Sequence, residues 1–536
     1  MFHLTLLTFL ATANAYVWPS PQLDALESAR FDQIGFNAAD GALAGFIEPC
    51  DSFLFGINTG RSNAADWIRT AYHDMATHNV TDGTGGLDAS IRFAEEQARP
   101  ENAGDGFRNT FLIVFLQVNR YVSIADSLAL AAIIAIENWL QAAVPKSPSG
   151  ADALTPESPT YQVSLNRRKT WTRTSPPSPA KDSGRLNDQP RRVRVRNVSK
   201  KCPPHLTIAR HTFGGVQHDP FPDIVGALDD PNNTEEVAHF DSTFVTFDNN
   251  IATEYISGTT QNPLVVGFND TTNSDQRIFG SDGNVTMLSF AKSPKLFAST
   301  CADLFARMLN TVPSGVQLTD VITPLPVKPA NVELLLDGDT LKLSGQVRFW
   351  NMKEDATRTV RMLWHDHVGG TNNVTLGFVA MSSSTGGRYS AAWYGFKAGF
   401  LSLDPAAGIK SMGFVVDGKL EDQGGVGFAV QDGVIFSETS CQSRSAGRLD
   451  VAVRNGLNPT RVYLEHVTSD SVGRLVIVEI DIAPPAQPIA ANSVYSMWSM
   501  NLTDPIALYS IGAEINGVKF STTDQHSFID FPLCPT

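Results

Sequence analysis

A proline-rich stretch at residues 323–329 separates two parts of this chain that have different hydrophobic periods. Before it, apolar residues recur at helical spacing, most clearly at residues 63–79, 123–139 and 293–309. After it, Leu341 and Leu343 alternate with polar neighbours, and similar runs separated by Gly-rich turns follow. We therefore expect a multidomain chain in which a mainly α domain precedes an all-β C-terminal region.

The chain has 536 residues, which is too many for one hydrophobic core and fits two or three domains. The predicted boundaries are residues 16–322 for the α domain, 323–329 for a linker and 330–536 for the β region. The β region is expected to form one or two antiparallel sandwiches, and residues 481–488 are a candidate link between its two halves.

Residues 1–15 resemble a secretory signal, because an apolar run precedes the small-residue sequence Ala13-Asn14-Ala15. The alternative is a buried first helix. No later apolar run reaches the ~20 residues of a membrane-spanning helix, and residues 128–136 instead predict a buried helix. We therefore expect a secreted glycoprotein without a transmembrane segment, and its Asn-x-Ser/Thr sequons include Asn79, Asn232, Asn269, Asn373 and Asn501.

Five cysteines are an odd number for a secreted protein. We expect two disulfides, Cys50–Cys301 and Cys441–Cys534, which leave Cys202 over. The net charge of −14 argues against a nucleic-acid partner.

Residues 165–201 differ from the rest of the chain, with twelve Lys or Arg, two Asp and a net charge of +10. The segment is rich in Pro and Ser and lacks an amphipathic period. One interpretation is a disordered basic insertion that binds anions. Another interpretation is a reading-frame error over this segment.

A first cluster of polar residues suggests peroxide chemistry. On a helix, Arg69 and His73 are four residues apart and share one face. His73 could take a proton from hydrogen peroxide and return it to the leaving oxygen, while Arg69 stabilises the developing charge. Asn102 could accept a hydrogen bond from the other nitrogen of His73 and hold the ring neutral.

A haem group for this chemistry needs an iron ligand, and His211 is the candidate. A carboxylate should accept the second ring N–H of that histidine, and we assign this role to Asp282 in Gly280-Ser281-Asp282-Gly283. His365-Asp366-His367 also allows a metal interpretation. It follows a predicted strand, however, so we interpret it as a strand-end turn.

Two groups of oxygen-bearing residues adjoin these histidines and suit calcium. The first group comprises Asp74, Gly86, Asp88 and Ser90. The second comprises Thr212, Asp241, Thr243, Thr246 and Asp248. Two calcium ions would then hold the segments that carry His73 and His211.

Together and in this order, these elements resemble the plant-type haem peroxidase superfamily, and most closely its secreted, calcium-containing fungal class II-like members. The resemblance covers residues 45–160 and 206–310. Its motifs are Arg-x-x-Tyr-His-Asp at 69–74, Gly-x-Asp-x-Ser at 86–90, Asn-Ala-Gly at 102–104, His-Thr-x-Gly-Gly at 211–215 and Asp-Ser-Thr-x-x-Thr-Phe-Asp at 241–248. Tyr72 and Asp74 favour the secreted branch, although Tyr72 replaces its usual Phe and Arg210 its usual Gly.

The resemblance implies haem b, an all-α two-lobed fold and the oxidation of small organic or phenolic donors by hydrogen peroxide in one-electron steps. It also implies a helix just before His211, where this chain has the basic segment. A shifted frame over residues 164–182 can encode an acidic amphipathic helix of the family type. We interpret residues 165–201 as the product of a frame error, with a genuine insertion as the alternative.

The sequence thus predicts a secreted haem peroxidase. One alternative is a non-enzymatic adhesion or carbohydrate-binding protein, in which the β region binds a carbohydrate or cell-wall ligand on an inactive peroxidase scaffold. Another is the inactive product of a damaged gene.

Overall fold

The structure is a computed structural model that divides the described residues into two compact units. The helical unit contains residues 39–118 and 122–323, and the β unit contains residues up to 38, 119–121 and 324–536. The division falls at Thr323, but residues 20–38, which the sequence placed in the α domain, belong with the β unit. The described residues are 20–38, 42–57, 59–142, 164–167, 211, 214–443, 446–471, 475–484, 489–502, 508–522, 526–527 and 531–534.

The described α-helices belong to the helical unit except for the first one. In chain order they are α1 (Pro21–Phe31), α2 (Asn63–Met75), α3 (Ala94–Gln97), α4 (Gly106–Val114), α5 (Ile124–Ala142), α6 (Asn250–Ser257), α7 (Pro263–Val266), α8 (Ser274–Phe279), α9 (Val285–Lys292) and α10 (Pro294–Leu309).

Helix α2 carries the predicted catalytic residues and is anchored by an apolar face. Ala64, Trp67, Ile68 and Ala71 are buried at helical spacing. The helix ends at Met75, earlier than the predicted residue 79. Residues 76–79 turn away from it into a loop.

Helix α5 is buried around its whole circumference from residue 128 to residue 136, as the apolar run predicted. Ser123 and Asp126 begin it with a reciprocal pair of hydrogen bonds. Asp126 N–H donates to Ser123 Oγ (3.1 Å), and Ser123 N–H donates to Asp126 Oδ2 (3.2 Å). Helix α10 begins in a related way, because Ser293 Oγ accepts from the N–H of Leu296 (3.2 Å).

The strands lie mostly in the β unit. In chain order they are β1 (Ile34–Gly35), β2 (Ser164–Arg167), β3 (Gly215–Gln217), β4 (Val237–His239), β5 (Gln317–Val321), β6 (Val327–Asp337), β7 (Thr340–Trp350), β8 (Val360–His365), β9 (Thr371–Ser383), β10 (Ser390–Leu403), β11 (Ser411–Val416), β12 (Lys419–Glu421), β13 (Phe428–Ala429), β14 (Val434–Ser437), β15 (Cys441–Gln442), β16 (Gly447–Arg454), β17 (Arg461–Ser469), β18 (Leu475–Ile482), β19 (Ile489–Ala490), β20 (Tyr495–Leu502), β21 (Leu508–Ile515), β22 (Val518–Ser521) and β23 (His526–Ser527).

The β unit contains a 14-stranded sheet and a five-stranded sheet. The main path of the large sheet runs β12-β11-β8-β9-β10-β7-β6-β14-β16-β20-β19, and that of the small sheet runs β18-β17-β21-β22. The β6–β14 pair is parallel. One core lies between the sheets, where Phe436 and Val451 of the large sheet and Leu464 and Ile511 of the small one share a buried cluster. This arrangement is a sandwich.

A second core of the β unit lies within the large sheet and includes Leu341, Leu343, Phe349, Phe414 and Tyr394. Leu341 and Leu343 belong to the predicted alternating run and are both fully buried. The large C-terminal part of the chain is therefore all-β, as predicted.

Helix α1 is held in the β unit by a buried ion cluster. The Glu27 carboxylate pairs with Arg348 and with Lys328 Nζ (3.0 Å), and Arg348 also pairs with Asp32 (2.7 Å). The side chains of Glu27 and Arg348 are fully buried. A buried carboxylate needs such partners, since desolvation would otherwise make its charge costly.

The structure contains one of the two predicted disulfides. Cys441 and Cys534 form a disulfide, as expected. The prediction of a Cys50–Cys301 disulfide was wrong, because these residues are not bonded to each other. Cys301 is buried in α10, and Cys50 Sγ lies 3.6 Å from Asn138 Nδ2. Cys202 lies outside the described residues.

Three further predictions concern single segments. His365 ends β8, and Asp366 Oδ1 accepts from the N–H of Gly370 (2.6 Å), so this segment is a strand-end turn. Among the described residues, no helix is long and apolar enough to span a membrane. Residues 1–15 and 168–201 lie outside the described residues, whereas residues 164–167 form β2 and pair with β5.

Candidate active site

His73 lies near the end of α2, and its ring orientation is set by Asn102. His73 Nδ1 lies 2.8 Å from Asn102 Oδ1. The Asn102 amide group donates from Nδ2 to the carbonyl of Glu96 (2.7 Å), so its Oδ1 is the acceptor for His73 Nδ1–H. This tautomer assigns the basic role to His73 Nε2. The structure thus brings His73 and Asn102 together as the sequence predicted.

Arg69 lies one turn before His73 on α2. Its guanidinium group donates to the carbonyl of Ala103 (2.9 Å) and lies over the Phe107 ring, 4.3 Å from the ring centre. The same ring packs edge-on against His73, with 5.2 Å between centres. Phe107 therefore positions both polar side chains, a role that the sequence analysis did not identify.

His211 is buried, and its Nδ1 lies 2.7 Å from Asp275 Oδ2. Asp275 is fully buried at the start of α8 and also accepts from Asn262 Nδ2 (3.0 Å). Phe240 stacks on the His211 ring at 4.3 Å between centres. These contacts fix the imidazole, and with Nδ1–H donated to Asp275 the basic ring nitrogen is Nε2.

The assignment of Asp282 as the partner of His211 was wrong, because Asp275 occupies that position. Asp282 is exposed in the turn before α9, where its carboxylate accepts from the N–H of Thr286 (3.0 Å). Hydrogen bonds to Thr286 hold the pKa of Asp282 below its usual value. Both aspartates follow a serine, so the Ser-Asp dipeptide alone does not show which of them contacts His211. Asp275 differs from Asp282 in lying in the first turn of a helix, and this was the sequence signal that could have identified it.

A cavity of about 410 Å³ connects the two histidines. Its lining includes Arg69 and His73 from α2, His211, Phe240, and the loop residues Pro220, Phe221 and Ile224. This volume lies in the usual range for ligand pockets. One cavity is therefore lined by His73 and Arg69 from α2 and by His211, which is hydrogen-bonded to a buried carboxylate.

The residues of this cavity fit a haem group. Haem iron requires a neutral imidazole whose second nitrogen is hydrogen-bonded, and His211 with Asp275 provides this donor. The aromatic and apolar side chains of Phe240, Phe221 and Val237 supply a lining suited to a flat macrocycle. Among the cavity residues, His211 thus has the hydrogen-bonded imidazole that such a group would need.

A buried arginine shapes the wall of the same cavity and was missed by the sequence analysis. Arg61 pairs with Asp66 (2.9 Å), Asp105 (2.6 Å) and Glu235 (3.3 Å). Its side chain is only 8% exposed. The three carboxylates therefore offset the desolvation cost of burying its positive charge. Asp66 belongs to α2 and Glu235 to the segment before β4, so Arg61 joins both walls.

The first predicted calcium group comes together around Asp74, the residue after His73. Asp74 is fully buried, and its carboxylate accepts from the backbone N–H groups of Asp88 (2.9 Å) and Ile91 (2.9 Å) and from Ser90 Oγ (3.4 Å). Burial and the charge of Asp88 raise the pKa of Asp74 to about 7. Gly86 lies two residues before Asp88 in the same loop. A cation would stabilise the charged forms of the neighbouring Asp74 and Asp88 carboxylates.

The second predicted calcium group lies around Asp241, the residue after Phe240. Thr243 Oγ1 lies 3.3 Å from Asp241 Oδ1 and 3.1 Å from Asp248 Oδ1, and Thr246 donates its N–H to the carbonyl of Thr243 (2.7 Å). In the described part of the chain, Asp241 Oδ2 is buried without a hydrogen-bond partner. Burial raises the pKa of Asp241 to about 7, and neighbouring carboxylates add to the rise. Thr212 lies outside the described residues.

Comparison with known proteins supports the peroxidase superfamily. Residues 56–284 match the family model described as Peroxidase. The chain is 35% identical over 107 residues to L-ascorbate peroxidase 5, peroxisomal, of Arabidopsis thaliana, a match that covers 20% of this chain and 38% of that protein. The N-terminal part of the chain thus contains a peroxidase domain.

A longer match joins this chain to a WSC domain-containing protein of Arthroderma benhamiae, with 33% identity over 393 residues. It covers 72% of this chain and 50% of that protein, so the chain spans half or less of the length of these relatives. Among solved structures, a pullulanase from Anoxybacillus sp. LM18-11 aligns at 9% sequence identity and a TM-score of 0.12. The alignment covers 36% of this chain and 25% of the pullulanase chain. A likeness that weak carries no argument.

Proposed function

We propose that this protein is a secreted haem peroxidase that reduces hydrogen peroxide and oxidises small organic or phenolic donors. The observation that carries the proposal is the single cavity bounded by His73, Arg69 and His211, in which Asn102 and Asp275 each fix one histidine through Nδ1. The peroxidase family match over residues 56–284 supports the same class of reaction.

His73 is the proposed acid–base catalyst. With Nδ1–H donated to Asn102, its Nε2 accepts a proton from hydrogen peroxide and returns that proton to the departing oxygen. Arg69 is held by Ala103 and Phe107 with its charge directed to the same cavity, where it stabilises negative charge as the O–O bond breaks. Asn102 acts through His73 and is a positioning residue.

His211 is the proposed iron ligand, with Asp275 as its partner. When bound, haem b supplies the iron that exchanges electrons with hydrogen peroxide and with the donor. Asp275 gives the ring of His211 more negative character, because the buried carboxylate accepts its Nδ1–H. That character strengthens donation from Nε2 to a metal.

Two calcium ions are proposed as supports for this arrangement. Asp74, Gly86, Asp88 and Ser90 would hold one ion, and Asp241, Thr243, Thr246 and Asp248, with Thr212, would hold the other. Asp74 adjoins His73, and Asp241 adjoins the Phe240 ring that stacks on His211. Each ion would therefore fix the segment beside one histidine.

Secretion is supported by the signal-like residues 1–15, the sequons and the Cys441–Cys534 disulfide, since disulfides persist in oxidising compartments. The fungal class II-like subtype belongs to the same proposal. It rests on Tyr72 and Asp74 at the catalytic motif.

The absorption spectrum of the secreted full chain, with and without hydrogen peroxide, tests the proposal. We expect a Soret band that shifts when peroxide is added and that is lost in His211→Ala. His365→Ala, which removes an exposed histidine of the β unit, is the matched control and should keep the band. A folded protein without a Soret band would contradict the proposal and favour the non-enzymatic adhesion or carbohydrate-binding alternative.

The interpretation of residues 165–201 as a frame error is tested on the transcript. Sequencing across this region is expected to show a frame change that restores an acidic amphipathic helix. An unbroken frame that matches this chain would show a genuine insertion instead.

A further inference from the structure

From the geometry of His218, Asp219 and Glu236, we propose a site for a divalent first-row transition-metal ion, separate from the haem and calcium sites. One potential ligand atom of each residue, an imidazole nitrogen or a carboxylate oxygen, lies within 4.8 Å of those of the other two. An imidazole with two carboxylates is a donor set that suits Zn²⁺ or Mn²⁺ better than Ca²⁺, which prefers oxygen ligands alone.

The orientation of His218 prepares it for this role. Its Nδ1 lies 2.7 Å from the carbonyl oxygen of Val225, to which it donates. That bond fixes the tautomer and leaves Nε2 as the basic nitrogen. Metal-binding histidines commonly carry this kind of backbone hydrogen bond on the second ring nitrogen.

The backbone holds the two ends of the cluster together. His218 follows β3 and Glu236 precedes β4, and His218 N–H donates to the Glu236 carbonyl (2.9 Å) in continuation of that hairpin. His218 and Glu236 are therefore held next to each other at the end of the β3–β4 pair, and Asp219 lies in the turn directly after His218. Little rearrangement is needed before an ion can bind.

The charges of the cluster also favour a cation. Glu235 is engaged with Arg61 and Gln217, both at 3.3 Å, whereas its neighbour Glu236 belongs to the His218 cluster. Among the described residues, no Lys or Arg forms an ion pair with Asp219 or Glu236. Two carboxylates beside an imidazole thus present negative charge that an ion would neutralise.

The site lies at the base of the loop from Asp219 to Glu236. Pro220, Phe221 and Ile224 of this loop line the cavity between His73 and His211. An ion bound by His218, Asp219 and Glu236 would join the two ends of the loop and thereby fix one wall of that cavity.

Calorimetric titration of the full secreted chain with Zn²⁺, in buffer that contains saturating Ca²⁺, tests the site. We expect one equivalent of Zn²⁺ to bind, and His218→Gln and Glu236→Gln each to weaken binding at least about tenfold. Asp223→Asn is the matched control, because Asp223 is an exposed carboxylate of the same loop outside the cluster. It should bind Zn²⁺ like the unmodified chain.

Two results would overturn the site: no Zn²⁺ binding when Ca²⁺ is saturating, or equal affinity in His218→Gln and the unmodified chain. An equal loss in Asp223→Asn would also overturn it, since bulk charge would then explain the binding. Amide hydrogen exchange provides a second readout, and Zn²⁺ should slow exchange across residues 219–236 in the unmodified chain only. The Soret spectrum, measured in parallel, reports on the haem proposal independently.

Discussion

Asp275 Oδ2 accepts a hydrogen bond from His211 Nδ1 at 2.7 Å, and both side chains are buried. The carboxylate is held in turn by Asn262 Nδ2 at 3.0 Å. This pair is the part of the proposed haem site that controls how strongly His211 can donate to iron.

Asp275→Asn should keep the haem but impair its chemistry. Because an amide accepts a weaker hydrogen bond than a carboxylate, His211 becomes a poorer donor, and we expect activity to fall by about 10–100-fold. The haem reduction potential should also rise. This potential would not change if Asp275 only stabilised the fold. Spectroelectrochemical titration and peroxidase assays measure both effects.

Asp282→Asn is the matched control for this prediction. Asp282 lies in the turn seven residues further along and is exposed. The control should leave the potential and the activity unchanged. If Asp282→Asn had the larger effect, the assignment of Asp275 would be incorrect.

His73→Leu should slow the reaction with hydrogen peroxide while the Soret band persists. General acid–base catalysis contributes about 10²–10⁴-fold, so we expect a loss of that size in stopped-flow measurements of the peroxide reaction. His365→Leu, an exposed histidine of the β unit, should react at the original rate.

Asn102→Leu removes the partner of His73 Nδ1 and also the hydrogen bond from Asn102 to the Glu96 carbonyl. We expect a smaller loss than in His73→Leu, together with a shift of the pH profile of the peroxide reaction, because the tautomer of His73 is no longer fixed. An unchanged pH profile would argue against the positioning role of Asn102.

Calcium should stabilise the protein more at pH 8 than at pH 5. The pKa values of Asp74 and Asp241 are raised to about 7, so the calcium-free folded state binds more protons than the unfolded state between about pH 4 and pH 7. The contribution of these two carboxyl groups to the stability of the calcium-free form is therefore greatest below about pH 4 and is lost as the pH rises through 7. Bound calcium requires the ionised carboxylates and reverses this loss. Thermal unfolding with calcium or with EDTA at the two pH values measures the difference.

Asp74→Asn separates the two effects. The neutral side chain should reduce the pH dependence of the calcium-free form and also reduce the stabilisation by calcium. Glu95→Gln, which removes an exposed carboxylate outside the proposed calcium group, should preserve both properties. Equal calcium stabilisation at pH 5 and pH 8 would count against these sites.

Glu27→Gln should destabilise the β unit by about 3–5 kcal/mol. The reason is that the positive charges of Arg348 and Lys328 stay buried but lose the carboxylate of Glu27 as an ion-pair partner. Burial disfavours the charge of Glu27, but Lys328 and Arg348 outweigh burial and lower its pKa to about 2. This contribution to stability is present above about pH 4.5 and is lost as the pH falls through 2.

Denaturant unfolding monitored by tryptophan fluorescence measures this effect. Glu421→Gln is the control, since the Glu421–Lys419 pair is partly exposed and should contribute about 0–1 kcal/mol. Comparable losses in the two variants would contradict the dominant role of the buried cluster.

Local patterns were sufficient for several elements of this protein. The alternation around Leu341 and Leu343 predicted buried strand positions, and the apolar run at residues 128–136 predicted a buried helix. Both signals are periodic, and burial of one face or of a whole segment follows directly from them. The pairing of His73 with Asn102 was also predicted, from their order in a known family pattern.

Other features depended on contacts between residues far apart in the chain. Helix α1 belongs with the β unit because Glu27 meets Arg348 and Lys328, some three hundred residues later. The sequence analysis assigned Asp282 to His211, and the fold placed Asp275 beside it instead. The two thiols expected to form a disulfide are not joined, because distance and direction decide such a bond.

The sequence by itself determined which chemical groups are present: two histidines with an arginine and carboxylates in peroxidase order, followed by an all-β region. The tertiary structure alone decided which carboxylate supports His211, that Phe107 and Phe240 orient the two histidines, and that His218 meets Glu236. Residue type and spacing are local properties of the chain. A hydrogen bond or a metal site instead needs groups within a few ångströms, and that proximity is created only when distant segments pack together.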